Sequence, residues 1–193
     1  MTEPVGCQPL DTRKRRKGFT QLNRYHPHMK TLYLMRHAKS SWKESDLADF
    51  DRPLNERGRR AAPFMGKVIA ERGMSIDRIA SSTAKRARRT AKLFKEAAAI
   101  TSELVLDDRI YEASPSTLLY VVSETDDQVD SLMLVGHNPG MEGTIRVLTG
   151  EAEPMPTAAI AIINLEIDSW KEISAGTGKL QAVVRPRDEM EEN

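Results

Sequence analysis

Two short apolar runs, each ending on a histidine, constrain this chain more than any other feature. Residues 31–35 run straight into Arg36-His37, and residues 132–135 run through Gly136 into His137. Runs this short and this uniformly apolar suit strands buried on both faces of a parallel sheet. In such a sheet ligands bind just beyond the carboxyl ends of the strands, where both imidazoles are expected to stand. A third segment, Ser81-Ser82-Thr83-Ala84-Lys85-Arg86-Ala87, opens a helix after the strand-like residues 77–80 and brings Arg86 to the same edge.

From Met29 onward, strand and helix patterns alternate. Residues 31–35 are followed by a polar loop over 39–54. Asn55 then reads as the N-cap of a helix reaching Arg72, with Gly73 as its stop signal. Residues 76–81 predict a second strand. Residues 84–99 predict a helix whose Ala87, Ala91, Phe94 and Ala98 share an apolar face. A short strand at 104–106, a helix at 116–123, the apolar strand 131–136 and a helix at 141–148 complete the alternation. After Gly150 the pattern changes to two strands, 157–167 and 180–184, with no helix between them, which predicts an antiparallel pair. The expected architecture is α/β: a three-layer α/β/α sandwich around a mostly parallel sheet with an antiparallel C-terminal strand pair. The 193 residues suit one domain, placed at 29–185. An acidic tail over 186–193 is expected to fray.

Composition narrows the setting. Hydrophobic residues make up 39% and charged residues 30%, with a net charge of only +1. That balance hides a basic stretch: residues 1–28 hold Arg13, Lys14, Arg15, Arg16, Lys17 and Arg24 against Glu3 and Asp11. It reads as a disordered basic arm, with Met29 a plausible natural start. The arm lacks the interleaved aromatics of a specific nucleic-acid element, so no specific nucleic-acid partner is expected. A single cysteine, Cys7, excludes an internal disulfide, and no apolar run reaches membrane-spanning length. A cytoplasmic monomer is expected. The two tryptophans, Trp42 and Trp170, are expected to be packing residues.

Two histidines and two arginines converging on one sheet edge suit a phosphoryl group. A neutral imidazole nitrogen can attack phosphorus and split one difficult displacement into two easier ones. The transferred group spreads charge over its equatorial oxygens, so its protein partners chiefly position and neutralise it. Arginine does this well, because its planar fork binds two oxygens and stays charged. The helix opening beside Arg86 adds peptide N–H groups for the same anion. No cofactor and no metal are expected. His26 and His28 lie in the arm, Cys7 has no partner at zinc spacing, and neither a P-loop nor a dinucleotide glycine pattern is present.

The motifs also carry a family resemblance. Leu34-Met35-Arg36-His37-Ala38, continuing into Lys39-Ser40-Ser41-Trp42, resembles the signature of the histidine phosphatase superfamily, with its phosphoglycerate mutase-like fold, and in particular its SixA-like branch of phosphohistidine phosphatases. Residues 82–91 are similar to the segment bearing that family's second arginine. Arg52-Pro53-Leu54 with Glu56-Arg57-Gly58 matches the lead into its first helix, and Gly136-His137-Asn138-Pro139 its second histidine motif. The resemblance implies His37 as nucleophile, Arg36 and Arg86 as phosphate-binding arginines and His137 as the second pocket histidine, with Asn138 as a further substrate-binding residue. Ala38 stands where the broad superfamily usually has glycine.

A general acid is the open point. Relatives acting on oxygen esters commonly use Asp or Glu, and Glu112, Asp49 and Asp51 are the candidates here. A phosphoramidate has a basic nitrogen leaving group that makes a dedicated acid less necessary. The brief connection over 107–130 predicts an open pocket that suits a phosphorylated side chain on another protein. The expected activity is therefore a metal-independent phosphatase with a phosphohistidine intermediate, acting on a phosphohistidine protein. The alternatives are a small phosphoester substrate, or a module that recognises phosphate without turning it over.

Overall fold

The computed structural model describes residues 29–43 and 46–191. The basic arm, with His26 and His28, lies outside the described residues. Eleven regular elements follow in order: β1 (Lys30–Arg36), α1 (Glu56–Glu71), β2 (Arg78–Ser81), α2 (Lys85–Ala97), β3 (Leu104–Leu106), α3 (Pro115–Ser123), β4 (Ser131–Gly136), α4 (Gly140–Thr149), β5 (Ile160–Leu165), β6 (Gly178–Val184) and α5 (Pro186–Glu191). Single 3-10 turns occupy Asp49–Asp51, Asp108–Ile110 and Trp170–Glu172.

The six strands form one sheet in the order β3-β2-β4-β1-β5-β6. The first four run parallel, β5 returns antiparallel to β1, and β6 pairs antiparallel with β5. This is the expected mixed α/β sheet. Alternation along β1 divides the core. Leu32 and Leu34 face the side covered by α3, α4 and the buried Trp170, whereas Tyr33 and Met35 face α1 and α2.

Three of the helices show a local reason for where they begin or end. The Asn55 side chain accepts from the Gly58 N–H at 2.8 Å and caps α1, as its sequence predicts. Ser114 caps α3, with Pro115 preset for the first helical position. Gly150 closes α4 with φ of 78°, a conformation that glycine adopts without cost. The helices α1 and α2 lie against each other unusually closely. A Cβ added at Gly66 would stand 2.5 Å from the Phe94 carbonyl oxygen, so only glycine lets the backbones approach this far.

Two expectations need correction. Residues 186–191 of the anticipated frayed tail form α5, started by Pro186 and tied to α1 by an Arg72–Glu189 ion pair at 2.6 Å. Trp42 is not a packing residue: it is 73% exposed, and the Arg52 guanidinium lies over its ring, 3.1 Å from the centroid. Trp170 is fully buried, and its Nε1 donates to the Val129 carbonyl.

Candidate active site

The strands β1, β2 and β4 end side by side. Arg36 is paired with Gly136, and Ser81 with Val135. The next residue along each strand therefore emerges at the same edge: His37, Ser82 and His137. The His37 N–H still donates to the Gly136 carbonyl at 2.9 Å, and the Ser82 N–H to Val135 at 3.0 Å, so the ladder fixes both backbones. Gly58 in the first turn of α1 presses directly on the Lys39 carbonyl, where any side chain would collide. This holds the loop leaving His37 against the helix.

His37 is 9% exposed. Its Nδ1 lies 2.8 Å from the Ala38 carbonyl, and its Nε2 lies 3.2 Å from Arg86 Nε. A carbonyl only accepts and a guanidinium only donates, so one tautomer satisfies both contacts. Nδ1 carries the proton, and Nε2 turns its lone pair toward Arg86. Burial above all, then the nearby Arg86, Arg36 and Arg52 cations, bring the imidazole pKa down to about 4 against the opposing Ala38 bond. The ring is neutral at neutral pH.

His137 stands beside it, with ring centroids 5.0 Å apart. Its Nδ1 lies 3.3 Å from Arg86 Nη2, and its Nε2 lies 2.9 Å from Ser82 Oγ. The same reasoning makes Nδ1 the acceptor and gives the Nε2 proton to Ser82. Burial, then the neighbouring His37 and Arg86, hold its pKa down to about 3.

Arg86, on the first turn of α2, joins these parts. Its Nη2 donates to Asp49 Oδ2 at 2.7 Å, and its Nη1 to the Asp49 carbonyl. Thr90, one turn further along α2, donates to the Arg86 carbonyl at 2.7 Å and accepts from the Ala38 N–H at 3.0 Å. That contact seats Ala38 in the buried loop, and its φ is not positive. The alanine therefore fits this turn without strain.

Arg36 approaches from the other side. Its Nη1 donates to the Met155 carbonyl at 2.8 Å, and Asn138 Nδ2 donates to the same oxygen at 3.1 Å. Arg36 Nε and Asn138 Oδ1 are buried with no hydrogen-bond partner among the described residues. A buried donor left unpaired is costly, so Arg36 Nε is a donor suited to an incoming oxyanion.

The three candidate acids are placed very differently. Asp49 reaches the site: besides Arg86, it accepts from Arg52 Nη1 at 2.7 Å and from the Tyr111 hydroxyl at 3.0 Å. Burial opposes ionisation there, but hydrogen bonds from Arg52, Arg86 and Tyr111 outweigh it and bring the carboxyl pKa down to about 2. At neutral pH Asp49 is a carboxylate that accepts and has no proton to give. Glu112 is exposed at φ 47°, and its carboxylate forms no hydrogen bond or ion pair with a described residue. Asp51 is likewise exposed, without a side-chain partner among them. The structure brings together Arg36, His37, Arg86, His137 and Asn138, and leaves Glu112 outside.

Sequence reasoning missed four contributors to this site: Arg52, Ser82, Thr90 and Tyr111. Thr90 was discoverable, because it lies four residues after Arg86 on one helix face. Ser82 follows its strand as His37 and His137 follow theirs. Tyr111 packs edge-on to His137 at 5.4 Å, a contact across the fold that local pattern does not encode. Among the described residues, no three His, Cys, Asp or Glu side chains gather as a metal site.

Known proteins resemble this chain in sequence and in fold. A family model described as the histidine phosphatase superfamily (branch 1) matches residues 32–118. An uncharacterised protein of Mycobacterium tuberculosis is 30% identical over 164 residues, spanning 79% of this chain and all of the relative. An Arabidopsis thaliana protein designated chloroplastic is 30% identical over 172 residues, covering 80% of this chain and 77% of the relative. The crystal structure of an Agrobacterium tumefaciens protein, provisionally designated the phosphohistidine phosphatase SixA, superposes with a TM-score of 0.70 at 32% identity. It covers 81% of this chain and 98% of that one. A structure of the protein histidine phosphatase SixA with tungstate shares the fold, with a TM-score of 0.71 at 20% identity over 82% of this chain and 98% of that one.

Proposed function

Since this chain belongs to the histidine phosphatase superfamily, in its SixA-like branch, and is a phosphatase, we propose that it removes phosphoryl groups from protein histidines through a covalent intermediate on His37. The observation that carries the reading is the His37 tautomer. The Nδ1 proton is held by the Ala38 carbonyl, so Nε2 offers a lone pair at neutral pH.

In the first step Arg86 Nε turns from His37 to a phosphoryl oxygen, the freed His37 Nε2 lone pair attacks phosphorus in line, and the bond from phosphorus to the substrate imidazole breaks. The leaving ring takes that electron pair and departs neutral, having entered with a proton on its other nitrogen. Arg36 Nε and the Arg86 fork hold the non-bridging oxygens, while His137 faces them from beside Arg86. In the second step water attacks the phosphoryl group from the vacated side. The bond from phosphorus to His37 Nε2 breaks, the lone pair returns to the ring, and inorganic phosphate leaves.

A nitrogen leaving group is favoured because Asp49, the carboxyl group hydrogen-bonded to Arg86, has no proton to give at neutral pH. Glu112 is exposed and makes no hydrogen bond or ion pair with the histidines. The short span between β3 and β4 holds one 3-10 turn and α3, which leaves the mouth open to a side chain on a folded partner.

Rapid quench with a phosphohistidine protein labelled at phosphorus tests the mechanism. Wild-type protein should trap an acid-labile label on His37, and His37→Ala should trap none and turn over at least about 10³-fold more slowly. Activity retained by His37→Ala would overturn it. A panel of phosphohistidine protein, sugar phosphates and nucleotides tests the substrate. A strong preference for an oxygen ester, lost in Glu112→Gln, would move the assignment to a phosphomonoesterase.

A further inference from the structure

A groove of ≈ 530 Å³ runs between α1 and α2, lined by Pro53, Leu54, Arg59, Lys85, Arg88, Arg89 and Lys92. Five of its seven residues are cationic and none is acidic. Its lining adjoins site residues along the chain. Lys85 precedes Arg86, and Pro53 follows Arg52, whose guanidinium holds Asp49 against Arg86.

These charges stand in positions that a helix by itself does not favour. Lys85 and Arg89, and Arg88 and Lys92, are like charges four residues apart on one face, each pair costing an isolated helix about 0.2–0.5 kcal/mol. Lys85 also sits at the N-terminus of α2, where the helix dipole disfavours a cation and no acid occupies the first turn. Across the groove-lining cations of α2, the ion pair present is Lys92 with Glu96 at 4.0 Å. Lys85, Arg88 and Arg89 are exposed, with no acidic partner among the described residues. Arg59 is pre-positioned from the α1 side by its bond to the Leu54 carbonyl at 2.8 Å. The close α1–α2 approach at Gly66 fixes the helix pair that forms the walls.

We propose that this groove is a docking site for an acidic segment of the phosphoprotein substrate, which it steers and holds while the phosphoryl group enters the pocket. The inference rests on the protein-phosphatase reading above, and it names the partner's chemistry: Asp- or Glu-rich sequence beside the phosphorylated histidine. A polypeptide is favoured over a nucleic acid because the groove offers guanidinium and ammonium groups over a Pro53–Leu54 floor and no aromatic face on which bases could stack. Rim charges of this kind act on encounter and on substrate affinity, leaving the chemical step untouched.

The test uses fluorescein-labelled peptides of matched length, one Glu-rich and one neutral, each made with and without a phosphohistidine. Arg88→Glu/Arg89→Glu is compared with wild type, and Arg88→Gln/Arg89→Gln serves if charge reversal impairs folding. At low salt the unphosphorylated acidic peptide should bind wild type on the order of tenfold more tightly than the neutral one, and the difference should shrink as salt rises. The double variant should lose that preference, and KM for the acidic phosphopeptide should rise by a similar factor. Its kcat/KM on p-nitrophenyl phosphate should stay at the wild-type value. Equal binding of acidic and neutral peptides would overturn the proposal, as would an equal loss on the aryl phosphate. Tighter competition by single-stranded RNA than by the acidic peptide, abolished in the variant, would overturn it in favour of a nucleic-acid groove. If the acidic peptide binds as expected and neither phosphopeptide is hydrolysed, docking stands and the substrate assignment is what fails.

Discussion

Replacing Asp49 by asparagine removes the negative charge resting on Arg86 while keeping the side chain's size. All three nitrogens of Arg86 are engaged in the resting protein: Nε with His37, Nη1 with the Asp49 carbonyl, and Nη2 with the Asp49 carboxylate. An incoming phosphoryl group must displace that carboxylate from Nη2 and then share the pocket mouth with it. The Asp49 side chain is 42% exposed, so water screens its contact with Arg86. The competing interaction is accordingly set at about 1 kcal/mol, well below the value of a buried pair. Repulsion between the carboxylate and the arriving dianion adds a contribution of similar size, again screened. A total of about 1–2 kcal/mol corresponds to roughly a five- to thirtyfold change in affinity. Asp49→Asn should therefore lower the inhibition constant of inorganic phosphate by that factor, measured against p-nitrophenyl phosphate hydrolysis at pH 7 and low salt. The factor should diminish as salt rises. An inhibition constant that stays the same or increases would refute the competition argument, and would mean that Asp49 serves to orient Arg86 for its ligand.

Acid pH should act on both activity and stability through the two histidines. His37 must be neutral to attack, so kcat/KM should lose a His37-dependent factor only as pH falls through about 4, and stay free of a His37 titration between 5 and 7. Both imidazole pKa values are depressed by folding, so below the ordinary value of 6.5 the unfolded chain takes up protons that the folded one refuses. The thermal midpoint should thus fall progressively from about pH 6.5 toward 4, and a midpoint insensitive to pH over that window would contradict the burial of the two rings. Gly66→Ala should destabilise the fold by about 1–3 kcal/mol, because its Cβ meets the Phe94 backbone; an unchanged denaturation midpoint would show that α1 and α2 do not pack as described.

The parts of this protein that local pattern governs were legible in its sequence. Short apolar runs gave β1 and β4 to within a residue, and the Asn55 cap marked the start of α1. Parallel strands in register then bring His37 and His137 together, because each follows the last residue of its strand. Where contacts across the fold decide the outcome, pattern was silent. Residues 186–191 look like a charged tail until Arg72 supplies an ion-pair partner from a distant helix. Trp42 is expected to pack, yet its ring stands in solvent over the buried Arg52 guanidinium. Asp49 was indistinguishable from Asp51 as a loop carboxylate. Only the fold shows that one of them meets two arginines and a tyrosine.

Thr90 has a mechanical consequence of its own. One hydroxyl grips the backbone of Arg86 on α2 and the backbone of Ala38 beside the nucleophile, and it is fully buried. Helix and loop are thereby riveted at a point adjacent to both reacting groups. When α2 rocks against the sheet, His37 and the guanidinium facing it travel together, so their separation is insulated from motions that change the shape of the outer surface. A partner that leans on α2 could shift the site as a whole without loosening the alignment of nucleophile and oxyanion donor.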